Sequence, residues 1–314
     1  MGKDQEVMIA ICGGVGPAAG LLLHQIILEN TENDGEDQGH LNVCHFSRSE
    51  DMTDRTEYLL NSTEDEVSSP RSTTESASLV ENPACGMART LEMMRAGAAQ
   101  GKVRLVVGVP CNTFHAKPIW NEFLRLTKAG QSENIRYVHM LEETVQYIAK
   151  YAPTSRRIGL MATTGTRTSR VYHDLMGPLG FKIIEVPQSM QKELHESVYN
   201  KTWGIKSTAP AVKPRCVANF HRYARMLHDL GAEVIVMGCT EIPFAFTGKR
   251  YFGGCLLIDP MVALARALIR EADPKRLKRL EVESVWPSSI STISPRAGAA
   301  KVTPTKPKIS FTTK

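Results

Sequence analysis

At 314 residues the chain can build one large or two ordinary domains, each burying a core without disulfide or metal staples. Hydrophobic residues make up 42% and charged residues 23%, and no apolar run approaches the ~18 residues that a bilayer-spanning helix needs, so a soluble chain without membrane contact is expected. The net charge of +5 is confined to the end: beyond Glu283 no acidic residue follows, while Arg296, Lys301, Lys306, Lys308 and Lys314 do. The body is therefore about neutral and carries no basic stripe with interleaved aromatics, which argues against a nucleic-acid partner. The start, MGKDQEV, lacks a basic-then-apolar signal pattern, so a cytoplasmic protein is expected. The seven cysteines are odd in number, scattered, and form no Cys-x-x-Cys pair, so reduced thiols are expected rather than a disulfide framework or zinc cage.

Along the chain, VMIAIC (7–12) is a short apolar run entering Gly13-Gly14-Val15-Gly16-Pro17, and Ala18 to about Asn30 reads as a helix, with Pro17 suited to a first helical position. A second strand, LNVCHF (41–46), leads into a polar loop and then Asp54-Arg55-Thr56-Glu57-Tyr58. Residues 61–82 turn to Ser, Thr and Glu with Pro70 and read as a flexible insertion. Order resumes with the helical pattern MARTLEMMRAGAAQG (87–101) and the continuous apolar strand VRLVVGV (103–109), which delivers Cys111 at its end. The same grammar restarts with helix LEETVQYIAKYA (141–152), strand RIGLMA (157–162), turn Thr163-Thr164-Gly165-Thr166, a helix near 167–179, and strand FKIIEV (181–186). A long polar connection follows, then helix VANFHRYARMLHDLG (217–231) and strand AEVIVMG (232–238), which delivers Cys239. A last strand, CLLID (255–259), and helix MVALARALIREA (261–272) are placed back on the first half.

Alternating strands and helices imply an α/β protein with doubly wound parallel sheets and ligand chemistry at the carboxyl ends of the strands. Two domains are expected: residues 1–140 completed by 258–280, and residues 141–257, with 284–314 as a disordered basic tail.

The chemistry concentrates at two turns. Cys111 in Val-Pro-Cys-Asn112-Thr113 and Cys239 in Met-Gly-Cys-Thr240-Glu241 leave apolar strands at equivalent places. Inverting a carbon centre by proton transfer needs one acid/base on each face of that carbon, and two matched thiols could supply both. Each is followed by plausible cap residues and a proline, so backbone N–H groups could lower the thiol pKa and bind a carboxylate. Cys12, Cys44, Cys216 and Cys255 are read instead as small apolar residues. Arg55 is a candidate bidentate carboxylate clamp, with a solvated loop arginine as the alternative. His115 could tune the Cys111 thiolate or sit on the outer face, and the second is preferred. Gly14, Gly16 and Ala19 fit Gly-x-Gly-x-x-Gly/Ala after a strand, but LNVCHF does not end in an acidic ribose hook and Pro17 would intrude on the phosphate-facing turn. A tight turn that lets backbone approach a small anionic ligand is favoured over an NAD(P) site. The nine histidines form no His-Glu-x-x-His, so no metal is expected, and no lysine is singled out for pyridoxal phosphate.

Taken together, Gly13-Gly14-Val15-Gly16-Pro17, Asp54-Arg55-Thr56, Pro110-Cys111-Asn112-Thr113-Phe114-His115 and Gly238-Cys239-Thr240-Glu241 resemble the markers of the aspartate/glutamate racemase superfamily, over about residues 7–272. Glu241 is similar to the aspartate racemase branch, where glutamate racemases carry His. The resemblance implies two pseudo-symmetric α/β domains with an inter-domain active-site cleft, a cofactor-independent amino-acid racemase acting on a dicarboxylic substrate, and commonly a homodimer. It implies that Cys111 and Cys239 are the bases, that Arg55 binds a substrate carboxylate, and that Gly14, Asn112, Thr113, Thr164, Thr240 and Glu241 line the binding site. The family's substrate lysine falls near 199–206, with Lys206 chosen and Lys201 behind it. Val15 where Met is usual, the insertion and the basic tail depart from the pattern. An NAD(P)-dependent oxidoreductase and a non-catalytic amino-acid-binding protein remain as alternatives.

Overall fold

The continuous apolar runs read as strands are buried on both faces, and this is why they assemble into parallel sheets with helices above and below. The structure, a computed structural model, describes residues 5–64 and 80–280. The first half contains β1 (Val7–Gly13), α1 (Pro17–Asn30), β2 (Val43–Ser47), α2 (Arg55–Glu64), α3 (Pro83–Gly101), β3 (Arg104–Gly108), α4 (Lys117–Leu126), β4 (Ile135–Val138) and α5 (Met140–Tyr151). The second contains β5 (Arg157–Ala162), α6 (Thr164–Thr168), α7 (Val171–Met176), β6 (Lys182–Glu185), α8 (Gln188–Tyr199), α9 (Ile205–Thr208), α10 (Pro214–Asp229), β7 (Val234–Gly238), β8 (Tyr251–Phe252), β9 (Cys255–Ile258) and α11 (Pro260–Ala272).

The two sheets run β2-β1-β3-β4 and β6-β5-β7-β9-β8. Apart from β8, which pairs antiparallel with β9, both follow one parallel topology, with β1, β2, β3 and β4 answered by β5, β6, β7 and β9. The α/β expectation is met, and both sheets lie in one compact unit that runs to Arg279. Register fixes the site: β1 and β3 are aligned with Ile11 opposite Gly108, and β5 and β7 with Ala162 opposite Gly238. The glycine turn after β1 and the Cys111 turn after β3 thus leave the same edge of one sheet, as the Thr163 turn and Cys239 do in the other.

Helix ends follow local chemistry. Pro17 opens α1 with its φ preset for a first helical position, and Asn82 caps α3 by accepting from Ala84 N ahead of Pro83, a contact worth about 1 kcal/mol. Asp259 caps α11 through Met261 N. Helix α11 is buried along most of its length and packs on α1, α5, β3 and β1.

Four differences from the sequence expectations have physical causes. The short edge strand β4 was not anticipated because only four residues pair, with alternating burial. The connection after β6 is not a polar loop. It contains α8, whose buried Leu194 and Val198 follow partly buried Met190 at helical spacing among charged residues that masked the period. The helix expected near 167–179 is split into α6 and α7, with Arg170 at positive φ between them. The insertion expected at 61–82 begins as helix, since α2 runs to Glu64, and ends with the α3 cap; its middle, and the tail 284–314, lie outside the described residues. No helix of the described residues is long and apolar enough to cross a membrane.

Candidate active site

Both cysteine turns are buried at strand ends, with Cys111 and Cys239 each 8% exposed. Neither cysteine of the pair is in a disulfide. Around Cys111 the neighbour that matters is Arg55, the first residue of α2. The segment that follows the polar loop starts a helix: Asp54 Oδ1 accepts from Thr56 N and Glu57 N at 2.9 Å each, and this cap turns Arg55 inward. The Arg55 guanidinium donates to Val15 O at 2.7 Å and Thr53 O at 3.1 Å, faces the Cys111 thiol electrostatically, and leaves Nε without a partner. Burial opposes its charge, but the facing Cys111, Tyr199 and Asp54 outweigh that and hold its pKa above the usual arginine value. The solvated-arginine alternative is thereby ruled out.

The preferred outer-face position for His115 is also corrected, because its ring is buried. Nε2 accepts from Met140 N at 3.2 Å, so the proton sits on Nδ1, which donates to Cys111 O at 2.8 Å. Burial first, then His139, pushes its pKa well down, so the ring is neutral and staples the Cys111 turn to the start of α5. Trp120 stacks on it with ring centroids 4.6 Å apart.

Around Cys239 the neighbours are charged in the opposite sense. The thiol donates to Glu241 Oε2 at 3.0 Å, the same oxygen that accepts from the Thr240 hydroxyl at 3.0 Å. Glu241 Oε1 accepts from Lys206 Nζ at 2.5 Å. Glu241 is nearly inaccessible, with 3% of its side chain exposed, while Lys206 keeps 22%. Burial would raise the Glu241 pKa, yet the Lys206 charge and three donated hydrogen bonds hold it below the ordinary carboxylate range. Burial pushes the Cys239 thiol well up, Glu241 adds to this, and Lys206 partly offsets it. Of the two lysines considered, Lys206 at α9 reaches the site, whereas Lys201 sits exposed in the preceding turn.

The glycine turn joins the two environments. Gly14, at φ +100, lies against the Arg48 backbone, where a Cβ would sit 2.9 Å from Arg48 C. Gly16 abuts the ion pair, with a Cβ there 2.7 Å from Glu241 Oε1 and 3.3 Å from Lys206 Nζ. Val15, between them, holds Arg55. Thus Cys111, Arg55, the glycine turn, Glu241 and Cys239 form one continuous chain of neighbours.

Contacts between the halves complete it. Thr113 and Thr166 share a hydroxyl hydrogen bond at 2.7 Å, and the Tyr172 hydroxyl meets Asn112 Oδ1 at 2.6 Å. Gly165 lies against Thr56, where a Cβ would be 2.5 Å from the Thr56 hydroxyl. Thr164, half-buried, donates its backbone N–H to His195 Nδ1 at 3.3 Å. His195 stacks on Tyr199 with centroids 4.7 Å apart, and Lys206 Nζ lies 5.5 Å from the Tyr199 ring centre. Burial pushes the Tyr199 hydroxyl up to about 12 against the pull of Lys206 and Arg55. Gly16 is expected from the sequence only as part of the glycine turn, and Thr166, Tyr172 and Tyr199 are not among the site residues the sequence suggests. For the last three nothing local marks them, since they reach the site only through α6, α7 and α8.

Several buried polar atoms here lack partners: Arg55 Nε, Thr56 Oγ1, Asn112 Nδ2 and Thr163 Oγ1. Leaving a buried donor unsatisfied costs about 1–3 kcal/mol, so such a group of them is what a small polar ligand would repay. The other thiols meet neutral partners, Met94 Sδ for Cys12, Ser197 O for Cys216 and Ala232 O for Cys255, and Cys44 is half-buried. Cys12, Cys216 and Cys255 are buried, and burial raises all three pKa values, with Cys216 and Cys255 at about 11. Among the described residues no group of three or more His, Cys, Asp or Glu side chains is placed to hold a metal ion.

Comparison with known proteins follows the same outline. An aspartate racemase of Picrophilus torridus superposes with a TM-score of 0.65 at 20% identity, covering 90% of this chain and 99% of that one. An aspartate racemase homologue of Pyrococcus horikoshii gives 0.57 at 17%, covering 85% and 99%; at these identities the likeness concerns the fold. In sequence, a glutamate racemase of Beutenbergia cavernae is 24% identical over 165 residues, 52% of this chain and 51% of the relative, so the match spans about half that protein's length. Residues 13–268 match the Asp/Glu/Hydantoin racemase family, and the chain belongs to that family.

Proposed function

We propose that the protein interconverts the enantiomers of a small dicarboxylic amino acid, aspartate foremost, by proton transfer at the α-carbon between Cys111 and Cys239. The observation that carries this reading is the continuity of the two cysteine environments through Arg55, Val15, Gly16 and Glu241. One sulfur, as thiolate, removes the α-proton: the C–H bond breaks, an S–H bond forms and its electron pair stays on carbon. The other, as thiol, gives its proton to the opposite face, and the roles exchange in reverse. The carbanion delocalises into the carboxylate, where Arg55 and the unpartnered Asn112 Nδ2 are available donors. Losing one such donor in comparable sites costs about 3–4 kcal/mol.

The alternative of a nicotinamide cofactor is disfavoured because the glycine turn is already occupied by the Glu241–Lys206 pair. The Glu241 carboxylate stands against Gly16, where a dinucleotide diphosphate would need an unopposed glycine turn. Incubation of the purified protein with single L-amino acids, followed by chiral chromatography, tests the reading. D-aspartate should accumulate towards an equal mixture. Ligand stabilisation with no D-product from any amino acid would replace it with a binding role.

A further inference from the structure

Tyr172 lies outside the motifs that mark the family and belongs to α7, in the opposite half from Cys111. It is 1% exposed, and the hydrogen bond of its hydroxyl is to Asn112 Oδ1, at 2.6 Å. Asn112 is itself 2% exposed, immediately follows Cys111, and has Nδ2 buried without a partner. A carboxamide presents an acceptor on one side and a donor on the other, and a half-turn about its last bond exchanges them. A phenol that donates to the oxygen therefore fixes which side faces away.

We propose that Tyr172 is a positioning residue: by donating to Asn112 Oδ1 it locks the carboxamide with its N–H donors turned to the ligand, so that the site binds a carboxylate beside Cys111. This rests on the proposed racemase reading and adds a residue to it. The hydroxyl is suited to the task because burial, and then the charges of Asp259 and Cys239, hold its pKa well above the usual tyrosine value, so it keeps the proton it donates. The direction of the bond also matters for substrate choice. With the carboxamide reversed, Oδ1 would face the ligand and repel a carboxylate, and Nδ2 would donate to the phenol oxygen, leaving the buried phenol O–H itself without an acceptor.

The test is a double-mutant cycle on racemisation in the full chain, with Tyr172→Phe, Asn112→Ala and the pair, alongside melting curves. Tyr172→Phe removes only the hydroxyl and should lower kcat/KM about tenfold, the value of one net hydrogen bond. The same change in the Asn112→Ala background should cost nothing further, because the group it acts through is gone. A Tyr172→Phe protein with wild-type kcat/KM, or an equal loss in both backgrounds, overturns the proposal. Should Tyr172→Phe fail to fold, Asn112→Asp decides. An acceptor in place of the donor should weaken L-aspartate binding, read by calorimetry, well beyond Asn112→Ala, and equal or tighter binding overturns the proposal. Failure of the wild type to racemise any amino acid would sink the racemase reading. The same cycle read in L-aspartate affinity then judges Tyr172 separately.

Discussion

The two cysteine turns share a backbone plan and differ in charge. Each thiol leaves a buried parallel strand of matching topology and is 8% exposed. Cys111, however, faces a guanidinium, which has only donors to offer, and its turn is held by a neutral histidine. Cys239 gives its S–H to a carboxylate whose charge is maintained by Lys206. A duplicated fold thus places two like thiols symmetrically while setting a guanidinium beside one and a carboxylate beside the other. A reaction that must begin with one base and one acid needs such a difference.

The harshest way to break the comparison is to remove either sulfur. Cys111→Ala and Cys239→Ala should each lower racemisation about a thousandfold or more, yet in heavy water each single variant should still exchange the α-proton of one enantiomer, a different one in each. Racemisation at the wild-type rate by either variant would end the two-base scheme. Arg55→Lys keeps the charge but gives up the planar fork that spans Val15 O and Thr53 O. The loss of charge-assisted bonds should lower kcat/KM about ten- to a hundredfold, and an unchanged value would show that charge alone serves Cys111. Glu241→Gln sharpens the other side. With the carboxylate gone, Lys206 faces Cys239 alone, so thiol alkylation in a Cys111→Ala background should move to lower pH; a move to higher pH would contradict the assigned roles. The same change should cost about 1–3 kcal/mol by denaturation at neutral pH, less than a fully buried pair because Lys206 is partly exposed. The sign with pH follows from the lowered Glu241 pKa. Its contribution is complete above the range where an unfolded glutamate titrates, about 4.3, and is lost as pH falls through the folded value. The acid limb of wild-type stability should therefore flatten in Glu241→Gln.

Much of the site was readable because its parts are local. Apolar runs ending in Gly or Cys with polar successors located β1, β3 and β7 and both thiols, and the Asp54-Arg55-Thr56 stretch pointed to the arginine that is buried beside Cys111, though not to the helix start that turns it inward. The depth of His115 is not legible in the sequence for a different reason: a histidine four residues past a turn has no period of its own, and its burial depends on Trp120 and on the N-terminus of α5. Likewise Gly14 and Gly16 look alike in a glycine-rich turn, and only their neighbours, Arg48 for one and Glu241 for the other, separate their tasks.

The amino-acid sequence by itself determined the alternation of buried strands and amphipathic helices, the doubled α/β plan and the position of each thiol at a strand end, because hydrophobic period and turn chemistry act over a few residues. Only the tertiary structure decided which charge each thiol meets, that Lys206 closes on Glu241, and that Tyr172 crosses from one half to hold Asn112 in the other. Glu241 is only two residues from Cys239, but the Lys206–Glu241 and Tyr172–Asn112 contacts join residues 35 and 60 positions apart, and at such separations it is the packing of whole elements, not local preference, that chooses the partner.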